Sequence, residues 1–454
     1  MQTDETPVKR TPRSTITGWY HKFEANWMVP GDESSTDRFY LIRYNITANV
    51  IANLVGGNFF AGLMLLLKAD NSFVGLITMI IFGANLLQLF SPYVLERFER
   101  RKKLLISLRV AMLFINIVFI GIVPLLPLSN SGRLTLLALS VFVVNALNAL
   151  MAPGFSVWHI AHIPQRVRIS YFSVVSVLNG VFVAVVNLAA SRAVDSFKQG
   201  GNELLGLGLL RVVALLICVY DIYLLTRIRE LPRTDPVRKI KFSDLLIKPW
   251  KERVYLRTVL VVVLWSMIAN IPGSYYTVYL LKDLNISYSY ITLINMFNVV
   301  ALVLLTPLWR RLIDRSSWLK PLSWAIMLFA PHYLLLALVA PGQLWLYPVG
   351  AIMGFIFLVG ISLGFTGVAY INIPKENQTL FIGFYSTMSN LGALVGASVS
   401  RAFMTAFEGT SFSLLGIHFG EKQVMMMVVG FLMLGAGFTV RMVYQRNELE
   451  KVEN

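Results

Sequence analysis

Apolar residues along this chain come in long runs, each close to the roughly 20 residues that a helix needs to cross the hydrocarbon core. The first six lie near 45–67, 72–95, 104–127, 133–158, 171–192 and 204–226. A charged interval follows, and then come six more near 255–281, 288–309, 319–340, 345–371, 379–403 and 424–444. The pattern predicts an all-α membrane protein with twelve transmembrane helices in two six-helix bundles, 45–226 and 255–444. A polar segment (1–44), a charged linker (227–254) and a short tail (445–454) complete the expected layout. Gly and Pro are scattered through the runs, which membrane helices tolerate better than soluble ones. The first forty-odd residues are polar and charged, so no cleavable signal peptide is expected and the first apolar run serves as the insertion signal.

Composition agrees with this picture and removes a rival. The chain is 56% hydrophobic and 14% charged, with a mean hydropathy of +0.64, too few charges to keep the surface of a 454-residue soluble protein wet. A net charge of +16 could indicate nucleic acid. Its distribution indicates a membrane surface instead. One set of loops holds Arg97, Arg100, Arg101, Lys102, Lys103, Arg166, Arg168, Arg310, Arg311, Arg315 and Lys320, with the dense stretch "RIRELPRTDPVRKIKFSDLLIKPWKER" at 227–253. The opposite set holds far fewer, among them Lys68, Arg133, Lys198, Lys282, Arg401 and Lys422. The basic set is therefore expected in the cytosol, with both termini, in a plasma (inner) membrane. "GWYHKFEANW" at 18–27 and "FSDLLIKPWKERVYL" at 242–256 read as interfacial anchors on that leaflet. The single cysteine, Cys218, rules out an intramolecular disulfide.

The two halves repeat one another. "DRFYL" (37–41) returns as "ERVYL" (252–256), "ERFERRKK" (96–103) as "DRSSWLK" (314–320), and "HIPQRVRISYFS" (162–173) as "NIPKENQTLFIGFYS" (372–386). The spacings are 215, 218 and 210 residues, and each match falls between the same pair of spans. Two bundles related by an axis along the membrane normal are implied. The Ile-Pro breaks mark equivalent turns after spans 4 and 10, because proline ends the helical hydrogen-bond pattern.

These residues resemble the major facilitator superfamily. "PYVLERFERR" (92–101) is similar to that family's loop signature of glycine, an acid–Arg pair and trailing basics, although Pro92 and Glu99 stand where glycines are usual. "RRLIDRSSWLK" (310–320) is a looser second copy. "LWSMIANIPGSYYTVYLLKDLNISYSYI" (264–291) and "NIPKENQTLFIGFYSTMSNLGALVG" (372–396) resemble bacterial members. The resemblance implies a secondary transporter that works by alternating access, with spans 1, 4, 7 and 10 bordering a central cavity. It also implies a cytoplasmic gate of Glu96, Arg97, Arg101, Asp314 and Arg315. A carboxylate beside a helix N-terminus gains about 0.3–1 kcal/mol, enough to bias two states without locking one.

Candidate chemistry is sparse. No nucleophile triad, paired acids, metal cluster or phosphate loop is present, so no enzyme, cofactor or metal is expected. Polar groups inside apolar runs carry the information, since burying one unpaired in lipid is expensive. Asn49 and Asn53 lie four apart on span 1, Asn145 and Asn148 three apart on span 4, and Asn270 precedes Tyr275 and Tyr276 at the Pro-Gly break of span 7. These are the expected cavity residues, with interhelical glue as the competing role. Arg109 and Asp221 fall at similar depth on spans 3 and 6 and are expected to pair. His332 is expected to be a packing residue, and Gly392 and Gly396 to permit close helix contact. Span 4 lacks an Arg and span 5 lacks a Gly-Pro signature, which argues against the usual drug–proton antiporters. The expected activity is movement of a small, neutral, polar or amphipathic solute by a monomer, with a proton as coupling ion. The alternatives are a drug exporter without its signatures, a membrane-embedded enzyme and a non-transporting sensor on the same scaffold.

Overall fold

The structure, a computed structural model, describes residues 34–95, 98, 100–163, 168–230, 248–316, 318–368, 378–414 and 417–445. Among them eleven helices are long and apolar enough to cross a membrane. The first half holds α1 (Ser35–Leu66), α2 (Asn71–Phe90), α3 (Lys102–Leu125) and α4 (Asn130–Ala161), with α5 (Arg168–Gln199) and α6 (Glu203–Arg227). The second holds α7 (Arg253–Asp283), α8 (Tyr288–Arg315), α9 (Leu319–Ala337) and α10 (Leu346–Val368). A further long helix, α11 (Gln378–Ala406), covers the predicted eleventh run, and α12 (Glu421–Gln445) closes the series. Between the last two lies a hairpin, β1 (Ser411–Leu414) and β2 (Ile417–Gly420), antiparallel with Ser411 opposite Gly420.

Helix α1 begins well before the predicted residue 45, because its charged first turns are not solvated. Asp37 and Arg38 are 2% and 1% exposed. Asp37 accepts hydrogen bonds from the Arg229 amide at 3.2 Å and from its Nε at 2.9 Å, while Arg38 donates to the His162 carbonyl at 3.3 Å. Trp158 Nε1 and His162 Nε2 both meet the Arg229 carbonyl, at 2.9 and 3.0 Å. Burial pushes the His162 imidazole below its ordinary 6.5, against the pull of Asp37 and of the bond to Arg229. Glu230 caps α3 by accepting from the amides of Arg101 and Lys102 at 2.6 and 3.1 Å. The chain leaving α6 is thus fastened to its own bundle before the linker begins. The predicted anchor at 18–27 lies outside the described residues, as do the Ile-Pro turns from 164 and 369 and residues 231–247 of the linker.

Both lead helices are discontinuous. Helix α1 is interrupted at Gly56, with Gly57 at φ +51°, and α7 at Asn270–Pro272, with Gly273 at φ +42°. The left-handed backbone explains why glycine stands at both sites, which occupy the same place in the two halves. Close packing elsewhere depends on glycine too. A Cβ on Gly392 of α11 would fall 2.6 Å from the Val263 carbonyl oxygen of α7, and one on Gly396 would collide with that of Met267. His332 hydrogen-bonds the Gly350 carbonyl at 2.7 Å and stacks on Phe329.

Candidate functional site

The two halves meet along α2 against α11 and α5 against α8. Among the described residues, the hydrogen bonds that join the halves gather toward the end opposite the basic loops. On the α5/α8 side, the Asp195 carboxylate caps α8. It accepts from the amides of Tyr288 and Ser289 at 3.0 and 2.8 Å and from the Ser289 hydroxyl at 2.5 Å. The Tyr288 hydroxyl donates to Glu203 Oε1 at 2.7 Å, Lys198 Nζ lies 5.6 Å over the Tyr288 ring, and Ser191 pairs with Thr292 at 2.7 Å. On the α2/α11 side, Arg401 donates to the Ser72 carbonyl and hydroxyl, both at 3.1 Å. The outer piece of α7 completes this closure: Tyr275 donates to the Asn71 carbonyl at 2.8 Å and Ser274 pairs with Thr78 at 3.0 Å.

Below the closure lies a polar column on α1. The amides of Asn45, Asn49 and Asn53 each donate to the carbonyl four residues earlier, at 2.8 Å. Asn53 Oδ1 also accepts from Asn187 of α5 at 3.1 Å. Asn187 and Ser191 lie four apart on one face of α5, and Ser191 already touches α8, so the Asn53–Asn187 pair sits at the seam. The column carries no charge.

The expected cavity residues therefore separate. Asn49 is exposed and Asn53 half-buried on this column. Asn145 is half-buried and bonded to the Val141 carbonyl of its own helix, Asn148 is exposed, and Asn270 is bonded to the Ser266 carbonyl at 2.7 Å. Tyr275 is 1% exposed and belongs to the closure rather than to an open wall. Tyr276 lies beside Tyr333 of α9 and Tyr347 of α10.

Of the expected gate, Glu96 and Arg97 lie outside the described residues. Arg101 holds Glu230 of its own half through its amide. Asp314 faces Arg310 on its own helix at 3.9 Å with both largely exposed, and Arg315 is exposed at the helix end. Among the described residues, neither Asp314 nor Arg315 hydrogen-bonds or ion-pairs with the opposite half. Arg109 and Asp221 stand face to face, Nε to Oδ2 at 2.8 Å, with Asp221 0% exposed. Thr47 donates to the other Asp221 oxygen at 2.8 Å, and Arg109 lies 4.9 Å over the Tyr44 ring, so the pair binds α1, α3 and α6 together.

Sequence reasoning missed the closure. Asp195, Glu203 and Arg401 sit at helix ends on the sparse-charge side, where they read as ordinary solvated residues. Their signal was positional: Asp195 and Glu203 flank the short turn between α5 and α6, and Arg401 lies near the end of α11, all on the same side of the membrane. It also missed Arg211, which is buried on α6 and donates to the carbonyls of Asn116 and Ile117 at 2.6 and 3.4 Å. Those carbonyls lie in a wide-turn stretch of α3, Ile115–Phe119, where the ordinary helical bonding is interrupted.

A family model of the Major Facilitator Superfamily matches residues 46–397. The chain belongs to that superfamily. No curated protein is matched by sequence. Among solved structures, the fold is similar to that of a point mutant of the nucleoside transporter NupG, at TM-score 0.66 and 10% identity over 89% of this chain and 99% of that one. A POT family transporter in complex with 5-aminolevulinic acid matches at TM-score 0.64 and 13% identity, over 91% and 97% of the two chains. An auto inhibited POT family peptide transporter matches at TM-score 0.66 and 12% identity, over 90% and 97%. At such identities the likeness is one of fold, and the superfamily chain is a multi-pass membrane transporter.

Proposed function

We propose that this transporter moves a small, uncharged, hydrogen-bonding solute by alternating access, driven by a coupled ion, the proton first. The observation that carries this reading is the hydrogen-bonded closure of the seam, among the described residues, at the end opposite the basic loops and above a charge-free amide column. A state closed at one end is half of an alternating cycle, and rocking about the column would break the closure and bring the basic ends together. Glu96, Arg97, Arg101, Asp314 and Arg315 then form the gate that closes in the opposite state. Because the basic loops face the cytosol on this reading, both termini do too, the membrane is the plasma membrane, and the closure is extracellular.

Asn49, Asn53, Asn145, Asn148 and Asn270 supply carbonyl and amide groups suited to hydroxyls, amides and ring nitrogens rather than to carboxylates or ammonium groups. A nucleoside, the solute named for NupG, falls in that class. The ligand of one POT family neighbour, 5-aminolevulinic acid, is zwitterionic and fits the column less well. Uptake into proteoliposomes of a panel of nucleosides, neutral sugars, amino acids and dipeptides, with and without an inward pH gradient, tests the reading. Gradient-stimulated uptake of an uncharged member supports it. Uptake confined to charged members, or no flux for any member under either condition, refutes it.

A further inference from the structure

Helix α6 meets α1 and α5 around a crevice of about 410 Å³ on the outer side of the first bundle. Its walls are Ile46 and Val50 of α1, Val186 of α5, and Leu216 and Ile217 of α6. Leu216 is 68% exposed at the rim, in a helix surface that includes exposed Val212, Val219 and Tyr223. In a membrane protein such a rim faces lipid, so the crevice opens sideways into the acyl-chain region. Its two other lining groups, Thr47 and Tyr220, have hydroxyls already engaged, with Asp221 at 2.8 Å and with Arg43 at 3.5 Å. A polar solute would find little to bind there.

The end of the crevice nearer the basic loops is different. Arg43 lies one turn beyond Thr47, stacked 4.0 Å over the Phe39 ring and reaching Tyr220. Arg227 lies 5.0 Å over the Tyr223 ring, itself stacked on Tyr220. Both guanidiniums are exposed, and among the described residues neither pairs with a carboxylate. Arg43 and Val50 are about 10 Å apart along the helix axis. Two unneutralised cations amid aromatic rings thus stand at headgroup depth, above an aliphatic slot that descends toward the bilayer centre.

We infer that this crevice binds an anionic phospholipid, its phosphate held by Arg43 and Arg227 and one acyl chain lying in the slot between α1, α5 and α6. Charge complementarity selects the anionic headgroup, and guanidinium groups match phosphate oxygens in pairs. The bound chain also covers Thr47 and so keeps water from the Asp221–Arg109 pair behind it. The inference requires only residence in a membrane and is independent of solute and of coupling.

The test uses the full chain in nanodiscs of phosphatidylcholine doped with phosphatidylglycerol that carries a diazirine midway along one acyl chain. After photolysis, label is expected within residues 46–50 and 216–220. Arg43→Gln lowers it roughly fivefold or more, whereas Lys103→Gln, which removes another exposed cation from the same face, leaves it unchanged. Leu216→Trp, which fills the slot without touching either cation, also lowers it. Unlabelled phosphatidylglycerol competes and extra phosphatidylcholine does not. Label spread evenly over the exterior helices, equal competition by both lipids, or equal loss in Arg43→Gln and Lys103→Gln overturns the proposal.

Discussion

Replacing Asp195 by Asn is the sharpest test of the closure, since it leaves the shape of the side chain and removes its charge. The carboxylate takes two backbone amides and a hydroxyl at the first turn of α8, at 2.5–3.0 Å. Net hydrogen bonds to a charged group contribute about 1.5–3 kcal/mol against about 1 for a neutral pair. The helix terminus adds about 0.3–1 kcal/mol for a negative charge. Asparagine keeps one acceptor oxygen but turns an NH₂ toward the other donors. The closed arrangement therefore loses about 2–3 kcal/mol relative to one in which α5 and α8 have parted, roughly 30- to 140-fold in the ratio of the two. Spin labels at Gln199 and Lys282, both exposed and on opposite halves, report the separation in a Cys218→Ser background. Double electron–electron resonance in nanodiscs at fixed pH is expected to show a mainly short-distance population for the parent. In Asp195→Asn a longer one should grow at its expense, while Asp195→Glu stays near the parent. A distribution that Asn leaves unchanged, or that moves toward shorter distance, refutes the assignment of this contact to the closure.

Other consequences are as direct. Tyr275→Phe deletes the bond to Asn71 and should open the α2 side by about 1 kcal/mol, read by labels moved to that side. Arg109→Met alone strands a buried carboxylate and should destabilise by about 3–5 kcal/mol, whereas Arg109→Met with Asp221→Leu should recover most of that in detergent thermal unfolding. Equal loss in the single and double variants would refute the pairing argument. Gly396→Ala drives a methyl into the Met267 carbonyl and should lower the melting temperature, at about 1–3 kcal/mol, while Gly383→Ala on the same helix meets open space and should be neutral.

Much of the scaffold was legible in the sequence because the bilayer imposes one requirement, a length of apolar helix, that no tertiary contact relaxes. The charge pairing of Arg109 and Asp221 could be anticipated from depth alone, since a charge inside an apolar run must find a partner. What could not be read was anything set by the angle between the halves. Asp37 and Arg38 look like solvent-facing charges in any window, and only the fold brings Arg229 and His162 to them. Asp195 likewise looks like a loop acid until α8 is placed over it. Tyr275 and Tyr276 are neighbours in sequence, yet a helix turns them about 100° apart, so one joins the closure and the other the tyrosines of α9 and α10.

The closure also has a symmetry that the repeat only hinted at. Each half contributes the outer piece of its broken lead helix to a contact with the other half. In one, Tyr288 of α8 stacks on Phe59 and sets its hydroxyl against Gly62 of α1; in the other, Tyr275 of α7 sets its hydroxyl against Gly75 of α2. A Cβ on either glycine would collide with that tyrosine oxygen. Both contacts thus need a glycine beneath a tyrosine, and neither can tighten further. Adding a methyl at either place should act as a wedge, because packed seams respond to added volume by switching arrangement rather than by stretching. Gly62→Ala and Gly75→Ala should each enlarge the longer-distance population, in the direction of Asp195→Asn but without altering any charge. The steric route predicts one difference. Tyr288→Phe removes the oxygen in the way but leaves the ring carbon 2.9 Å off and deletes the bond to Glu203, so measured against Tyr288→Phe alone the added effect of Gly62→Ala should shrink, while that of Gly75→Ala should not. If Gly62→Ala closes the seam further, or if Tyr288→Phe shrinks the added effect of both glycine variants alike, the two contacts do not work as separate wedges and the symmetric account fails.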